Sequence, residues 1–167
     1  EVKDAMRHPA PPFTTSTMQQ EASRKLYLGA RDTMRIAQRL YEAGHITYMR
    51  TDGVSMEPDA ISRARDMVME RYGPEYLPAQ PRHYSVKAKN AQEAHEAVRP
   101  TDFTRTARSI GLSGEEARLY DLIWTRAVAS QMASAKLERT TVEFLSDAGD
   151  IGLRTTGTVV VFPGFLS

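Results

Sequence analysis

Residues 44–52 read Gly44-His45-Ile46-Thr47-Tyr48-Met49-Arg50-Thr51-Asp52 and lie between two segments with helical periodicity. The stretch is short, and its Ile, Thr and Tyr residues favour an extended backbone over a helix. Side chains alternate between the two faces of an extended chain. The sequence therefore predicts a strand over residues 46–50, with Tyr48 and Arg50 on the same side.

This placement of a phenol beside a fixed positive charge suits one kind of chemistry. A tyrosine hydroxyl has a reference pKa of roughly 10 and is a weak nucleophile at neutral pH. A neighbouring guanidinium favours the phenolate and can hold a phosphate through two parallel hydrogen bonds. Tyr48 and Arg50 could thus attack a phosphodiester. The alternative interpretation is a core aromatic residue beside a charge that simply faces water.

Composition narrows the class of protein. The 167 residues are 41% hydrophobic, which fits one globular, soluble domain or one domain with part of a second. No apolar run approaches the length of a membrane span, and no secretion leader is apparent. The absence of cysteine excludes disulfides and cysteine-ligated zinc, and makes a reducing cytoplasm the expected compartment.

Charge gives a weaker indication. The formal net charge is only +1, so affinity for nucleic acid would require local clustering of basic residues. Arg31, Arg35 and Arg39 are spaced four apart on a predicted helix and would form one basic ridge. This ridge could follow a phosphate backbone, or it could be an ordinary solvated helix face.

Five helices are predicted from capping residues and apolar periodicity. They begin at a capping box from Thr17 to Gln20, near Asp32, after Ser55, after Asn90 and at a capping box from Ser113 to Glu116. The fourth is a short helix over residues 91–98, because Pro100 prevents its continuation. The first two are expected to end at Gly29 and Gly44.

Two segments near the end of the sequence have the alternation of strands. Residues 140–145 and 151–162 are rich in β-branched residues and are predicted to form an antiparallel hairpin. The first sixteen residues are rich in proline and are predicted to be an extended connector. The run 159–162 is apolar on both faces, which predicts partner strands elsewhere and a chain that is a fragment of a larger protein.

Four motifs occur in the order of a known family. They are Pro12-Phe13-Thr14-Thr15-Ser16-Thr17-Met18-Gln19-Gln20-Glu21-Ala22, Thr33-Met34-x-x-Ala37-Gln38-x-Leu40-Tyr41-Glu42, Ile46-Thr47-Tyr48-Met49-Arg50-Thr51-Asp52 and Ala94-His95-Glu96-Ala97-Val98-Arg99-Pro100. Together they resemble bacterial DNA topoisomerase I, a type IA enzyme, and further matches near Gln131 and Thr140 extend the resemblance over nearly the whole chain. Met49 and Glu96 resemble topoisomerase I more than topoisomerase III.

The resemblance implies roles for particular side chains. Tyr48 would be the nucleophile that forms a 5′-phosphotyrosine link with one DNA strand, and Arg50 would bind the scissile phosphate. DNA-binding residues would be His95, Arg50 and Arg99, with Asp52 in a supporting role. One departure is visible, because Gly53 stands where the family leads us to expect serine.

The resemblance also implies an architecture that is mainly α with a small antiparallel β part. Residues 1–14 would be an extended arm of a β-rich arch, residues 15–135 a helical domain carrying the tyrosine, and residues 136–167 a returning hairpin of the truncated arch. The arm and the hairpin would form the hinge of a gate.

Magnesium and DNA are the ligands that the resemblance implies for the intact enzyme. No Asp-x-Asp pattern occurs in this sequence, so no metal site is expected here and Mg2+ would bind to a domain outside this chain. The partners would be single-stranded or negatively supercoiled DNA and the remaining domains, in the bacterial cytoplasm at the nucleoid. The fragment alone is expected to be inactive. The competing hypothesis is a non-catalytic helical module that binds nucleic acid or protein.

Overall fold

The computed structural model describes residues 1–85 and 95–167, and this part of the chain contains four α-helices and three β-strands. The helices are α1 (Thr15–Leu26), α2 (Ala30–Glu42), α3 (Pro58–Tyr72) and α4 (Gly114–Ser130). The strands are β1 (Val2–Arg7), β2 (Ala135–Leu145) and β3 (Gly152–Phe162). The prediction of a mainly α fold with a small antiparallel sheet is confirmed.

The three strands form one antiparallel sheet in the order β1-β2-β3. Val2 lies opposite Thr140, and Leu145 lies opposite Gly152 at the hairpin end. The predicted hairpin is therefore confirmed, although β2 begins five residues earlier than predicted. The residues at the start of the sequence do more than connect, because β1 pairs with β2 along its whole length.

Two apolar clusters stabilise the helical part. The larger one joins α1, α2 and α4 and includes the fully buried residues Met18, Ile36, Leu40, Met49, Leu119 and Ile123. The second joins α3 to α4 and includes Ile61, Ala64, Val68, Ala127 and Val128. Met49 belongs to the first cluster, so the residue between Tyr48 and Arg50 anchors their stretch of chain in the core.

The first predicted helix start was wrong by three residues. Thr14 is the N-cap of α1, and its side chain accepts a hydrogen bond from the Thr17 backbone while the Thr17 hydroxyl accepts one from Thr14 N–H. Thr17 is thus the second partner of a capping box and not its first residue. The helix ends at Tyr27, which takes a left-handed conformation with φ 58°, and not at Gly29.

Two other predicted caps do not form. Helix α3 starts at Pro58 with Glu57 as its N-cap, whereas Ser55 makes a bridge with Glu96. Ser113 is the N-cap residue of α4, but its side chain makes no capping hydrogen bond. The Glu116 carboxylate that would complete a capping box accepts instead from Arg39 on α2, at 2.6 Å.

The predicted helix over residues 91–98 is wrong for its described part. Residues 95–100 are extended, with isolated bridges that pair Glu96 with Ser55, Val98 with Phe13 and Pro100 with Ile46. Tertiary pairing with three distant segments therefore overrides the local helical signal. Residues 91–94 and the predicted cap Asn90 lie outside the described residues.

Candidate active site on the tyrosine loop

Residues 47–55 form a loop whose two ends bond to the same residue, Ala97. The Thr47 hydroxyl donates to the carbonyl oxygen of Ala97 at 2.8 Å, and the Ala97 N–H donates to the carbonyl oxygen of Ser55 at 2.8 Å. Thr47 N–H also donates to Arg99 O at 2.9 Å. Ala97 thereby closes the base of this segment, which we call the tyrosine loop.

The middle of the tyrosine loop is held by the start of α1. The Thr15 hydroxyl lies 2.6 Å from the carbonyl oxygen of Met49 and accepts a hydrogen bond from Thr51 N–H at 2.8 Å. The Thr15 N–H donates to Thr51 O at 2.9 Å. The predicted strand over residues 46–50 is therefore wrong. Of these residues only Ile46 makes a bridge, because beyond Thr47 the backbone groups of Met49 and Thr51 bond to Thr15 and not to a neighbouring strand.

The tyrosine loop nevertheless keeps the alternation of an extended chain. Tyr48 is 51% exposed, Arg50 and Asp52 are exposed, Met49 and Gly53 are buried, and Thr51 is half-buried. Tyr48 and Arg50 thus both face solvent, with a buried residue between them. Neither the Tyr48 hydroxyl nor the Arg50 guanidinium hydrogen-bonds to any other described residue.

The orientation of the Tyr48 ring is restricted by a neighbour on α2. The ring of Tyr41 meets it edge to face, with ring centroids 5.3 Å apart and an interplanar angle of 64°. Tyr41 is itself 41% exposed. Such a pair restrains a ring without covering its hydroxyl, so Tyr48 presents a partly ordered phenol to solvent.

His95 lies beside the far end of the tyrosine loop. Its side chain is exposed, and its backbone carbonyl lies against Gly53 so closely that a Cβ at position 53 would overlap the oxygen. The serine expected from the family resemblance has no room in this backbone arrangement. Glycine at this position therefore brings the chain at His95 into backbone contact with the loop that carries Tyr48.

Arg99 is arranged differently from Arg50. Its side chain is only 13% exposed, its Nε donates to the Glu96 carboxylate, and its Nη1 donates to Pro100 O at 3.0 Å. Glu96 Oε1 also accepts from Glu57 N–H at 3.1 Å. These contacts tie the 95–100 segment to the start of α3. A DNA-binding role for Arg99 stays a prediction, and its observed partners are internal.

The predicted basic ridge on α2 is partly neutralised. Arg35 donates to Asp32 at 2.9 Å, and Arg39 pairs with Glu116 at 2.6 Å. Both pairs are well exposed to solvent, so they add little stability. Arg31 is also exposed. The ridge is thus a surface of mixed charge, which favours the interpretation as a solvated helix face.

The described residues do not suit a magnesium site. Within residues 1–85 and 95–167, no three His, Asp or Glu side chains come together in a way that could hold a metal ion. Magnesium prefers several oxygen ligands in octahedral geometry. In the same part of the chain, no helix has both the length and the apolar character to cross a membrane.

Sequence reasoning missed the residues that hold the tyrosine loop, namely Thr15, Thr47 and Ala97. The Thr15 hydroxyl acts on residues that are 34 and 36 positions away, and the Thr47 hydroxyl on one 50 positions away. A local pattern carries no signal for such pairs. Thr17 was interpreted as a helix cap, and Thr14, Thr15 and Ser16 were assigned to the extended connector and to a family motif, without a role in holding the loop.

Comparison with known proteins gives consistent matches. A family model described as DNA topoisomerase matches residues 1–167. DNA topoisomerase 1 of Zymomonas mobilis is 62% identical over 167 residues, which are 100% of this chain and 14% of the relative. DNA topoisomerase 1 of Synechococcus elongatus is 54% identical over 166 residues, which are 99% of this chain and 19% of the relative.

A solved structure has the same fold. The structure of full-length topoisomerase I from Thermotoga maritima matches with a TM-score of 0.85 and 35% sequence identity, covering 99% of this chain and 28% of that chain. The chain therefore spans less than a fifth of the length of the two curated relatives and less than a third of the solved one.

Proposed function

Because the chain belongs to the bacterial DNA topoisomerase I family of type IA enzymes, we propose that it carries the nucleophile of such an enzyme and that this nucleophile is Tyr48. The observation that carries the proposal is the tyrosine loop, which leaves Tyr48 and Arg50 exposed to solvent while Met49 between them is fixed in the core. Attack on a phosphodiester is favoured when the backbone holds the nucleophile in a fixed position beside a group that binds phosphate.

The proposed reaction is a transfer of one phosphodiester bond. The Tyr48 oxygen attacks phosphorus in a single DNA strand, and a bond between that oxygen and phosphorus forms. The bond from phosphorus to the 3′-oxygen breaks, the phenolic proton is lost, and the 3′-oxygen takes up a proton. Arg50 binds the non-bridging oxygens and offsets the charge that develops on them. The products are a 5′-phosphotyrosine and a free 3′-hydroxyl.

His95 and Asp52 have supporting roles in this proposal. His95 is exposed at the end of the extended segment that meets Gly53, where its imidazole can donate to a phosphate oxygen or exchange a proton with solvent. Asp52 is exposed to solvent on the tyrosine loop, two residues after Arg50. Arg99 acts on the position of the 95–100 segment through its pair with Glu96.

Relaxation of negatively supercoiled DNA is assigned to the intact enzyme. The covalent link keeps the energy of the broken phosphodiester, so the second strand can pass and the first can be resealed without ATP. Magnesium would bind to another part of the intact enzyme, since the described residues do not suit it, and would supply charge stabilisation there. The fragment alone is then inactive. Residues 15–135 would move as a gate on a hinge formed by both ends of the chain.

The test is a substitution of Tyr48 in the full-length enzyme. Tyr48→Phe should abolish DNA–protein adducts that are trapped by denaturation, because the attacking oxygen is removed. Tyr41→Phe is the matched control, since Tyr41 packs against Tyr48 and is also exposed. It should leave the adducts in place. Adducts that persist in Tyr48→Phe would disprove the assignment.

The same variants separate this proposal from a binding module without chemistry. Such a module would bind DNA with a strong salt dependence and would form no adduct in either protein. Mixing this chain with the separately produced remainder of the enzyme tests whether the missing parts restore cleavage. Magnesium-dependent cleavage in the mixture, and none in either component, is the expected result.

A further inference from the structure

One side chain from α1 bonds to the backbone of the tyrosine loop next to Tyr48 and Arg50. The loop residues between and after them, Met49 and Thr51, both bond to the hydroxyl of Thr15. This hydroxyl has one proton and gives it to Met49 O at 2.6 Å, the shorter of its two carbonyl contacts, while its lone pair accepts Thr51 N–H. The Thr15 hydroxyl thus bonds to an acceptor just before Arg50, Met49 O, and to a donor just after it, Thr51 N–H.

Thr15 is itself held firmly. It is the first residue of α1 and lies between Thr14 and Thr17, the two partners of the capping box. Phe13, two residues earlier, is buried and accepts the Val98 N–H at 2.8 Å. One turn into the helix, Met18 is fully buried. The hydroxyl is therefore attached to the packed helical part and not to a flexible arm.

The tyrosine loop is also supported at its base, by the burial of Met49, and by the Thr15 N–H, which donates to Thr51 O at 2.9 Å. Thr47 and Ser55 are bonded to Ala97. Among residues 1–85 and 95–167, the seven residues between them have backbone hydrogen bonds to groups outside the loop only at Met49 and Thr51. Without the Thr15 hydroxyl, Met49 O loses its donor and Thr51 N–H loses its acceptor. Polar backbone groups without partners turn towards water, which would move the loop.

We propose that Thr15 is a positioning residue that fixes Tyr48 and Arg50 in the geometry for attack. The inference rests on the proposed function, because a displacement of the loop is measured by the rate at which Tyr48 reacts. It assigns no contact between Thr15 and DNA. Its consequence is that the hydroxyl governs the rate of cleavage and leaves DNA affinity nearly unchanged.

The experiment compares Thr15→Val and Thr15→Ser in the full-length enzyme. Valine keeps the size of the side chain and removes the hydroxyl, whereas serine keeps the hydroxyl. The measurement is the rate of covalent adduct formation in a single turnover with saturating single-stranded oligonucleotide, together with the Kd for that oligonucleotide and the Tm. A misplaced reacting group lowers rates by about 100-fold. We expect such a loss in Thr15→Val, with Kd unchanged and most of the rate restored in Thr15→Ser.

Thr33→Val is the matched control. Thr33 is also a threonine near a helix start. It is buried, and its hydroxyl donates to the carbonyl oxygen of Gly29, the residue just before its own helix, at 3.0 Å. Loss of that hydroxyl should leave the rate of adduct formation unchanged. A slow Thr33→Val would show that the effect of Thr15→Val is general and would overturn the proposal.

Other outcomes also decide the matter. Wild-type rates in Thr15→Val, or equally slow rates in the valine and serine variants, would overturn the role of the hydroxyl. A Thr15→Val protein that fails to fold would show that Thr15 holds the fold, which also overturns a specific positioning role. If Tyr48→Phe abolishes adducts while Thr15→Val does not slow them, only this inference fails. Adducts in Tyr48→Phe would overturn the proposed function as well.

Discussion

Gly53 illustrates how a single missing side chain shapes the candidate site. A Cβ at this position would overlap the backbone carbonyl of His95, which is a rigid group and not the end of a flexible side chain. A backbone clash must be relieved by moving one segment away from the other. Glycine thus sets the distance between the tyrosine loop and the 95–100 segment.

Gly53→Ala is therefore expected to lower the free energy of unfolding by about 1–3 kcal/mol, in the range measured for overpacked sites. Urea denaturation of the chain measures the change. Gly157→Ala is the matched control, because Gly157 lies in β3 and a Cβ there would meet nothing within 4 Å. Equal stabilities of the two variants would contradict the close approach at Gly53.

At the level of residues, the sequence predicted which side chains face solvent but not what holds them. The exposure of Tyr48 and Arg50 follows from alternation around Met49, which is a local property of an extended chain. The support from Thr15 depends on α1 lying against the loop, which no window of sequence contains. Gly53 was recognised as a departure from the family, but its reason is the position of His95 in space.

Helix α4 packs in the apolar cluster that contains Met49, and Tyr120 is one of its buried residues in that cluster. The Tyr120 ring is 1% exposed, and its hydroxyl donates to Arg105 O at 2.9 Å. Burial, with smaller contributions from the charges of Asp102 and Asp121, raises the pKa of Tyr120 to about 12. The folded protein therefore favours the neutral phenol.

This shift makes stability depend on pH in the alkaline range. A tyrosine in the unfolded chain has a pKa of about 10, so between pH 10 and 12 the unfolded chain loses a proton that folded Tyr120 keeps. Stability from this group is complete below pH 10 and falls as the pH rises towards 12. Tyr120→Phe should lose about 1 kcal/mol at pH 7 with its hydrogen bond, and should show a smaller fall above pH 10.

The measurement is urea denaturation from pH 7 to 11 for both proteins. Tyr27→Phe serves as the control, because Tyr27 is 90% exposed and its loss should leave the pH dependence unchanged. Tyr84 also has a pKa raised by burial, but it is present in all three proteins and cancels in the comparison. A Tyr120→Phe profile parallel to wild type would contradict the assignment.

At the level of elements, long periodic segments were predicted well and short ones poorly. Helices α2 and α4 carry enough apolar residues to be recognised, and their observed bounds lie within a few residues of the prediction. The segment 95–98 was assigned to a helix because its alanines and its preceding cap residue favour one. The bridges of Glu96 to Ser55 and of Val98 to Phe13 join it to two distant parts of the chain and decide its structure.

In the whole molecule, Arg82 joins the helical part to the sheet. Its Nε donates to Met132 O at 2.9 Å and its Nη2 to Ser134 Oγ at 2.7 Å, just before β2 begins. Ser134 Oγ also lies 2.7 Å from His8 Nδ1, just after β1 ends. His8, which follows β1, and Ser134, which precedes β2, thus form one polar cluster with Arg82.

Arg82→Ala should lower the free energy of unfolding by about 2–4 kcal/mol, because several hydrogen bonds to a charged donor are lost at once. Urea denaturation measures this change, and limited proteolysis at residues 8–12 and 131–134 reports whether the junction opens. Arg35→Ala is the control, since the Arg35 side chain is 59% exposed and its pair with Asp32 is weak. Equal effects of the two substitutions would show that the cluster does not hold the junction.

The closure of the tyrosine loop on Ala97 has a consequence for the order of folding. Its hydrogen bonds join Thr47 to residues 50 and 52 positions later, so the entropy of closing a long segment must be offset before the loop gains its shape. During synthesis, a chain that ends before Arg99 cannot complete these bonds. The loop that carries Tyr48 therefore reaches its native shape only after Arg99 has been synthesised, later than the sequences of α1, α2 and α3.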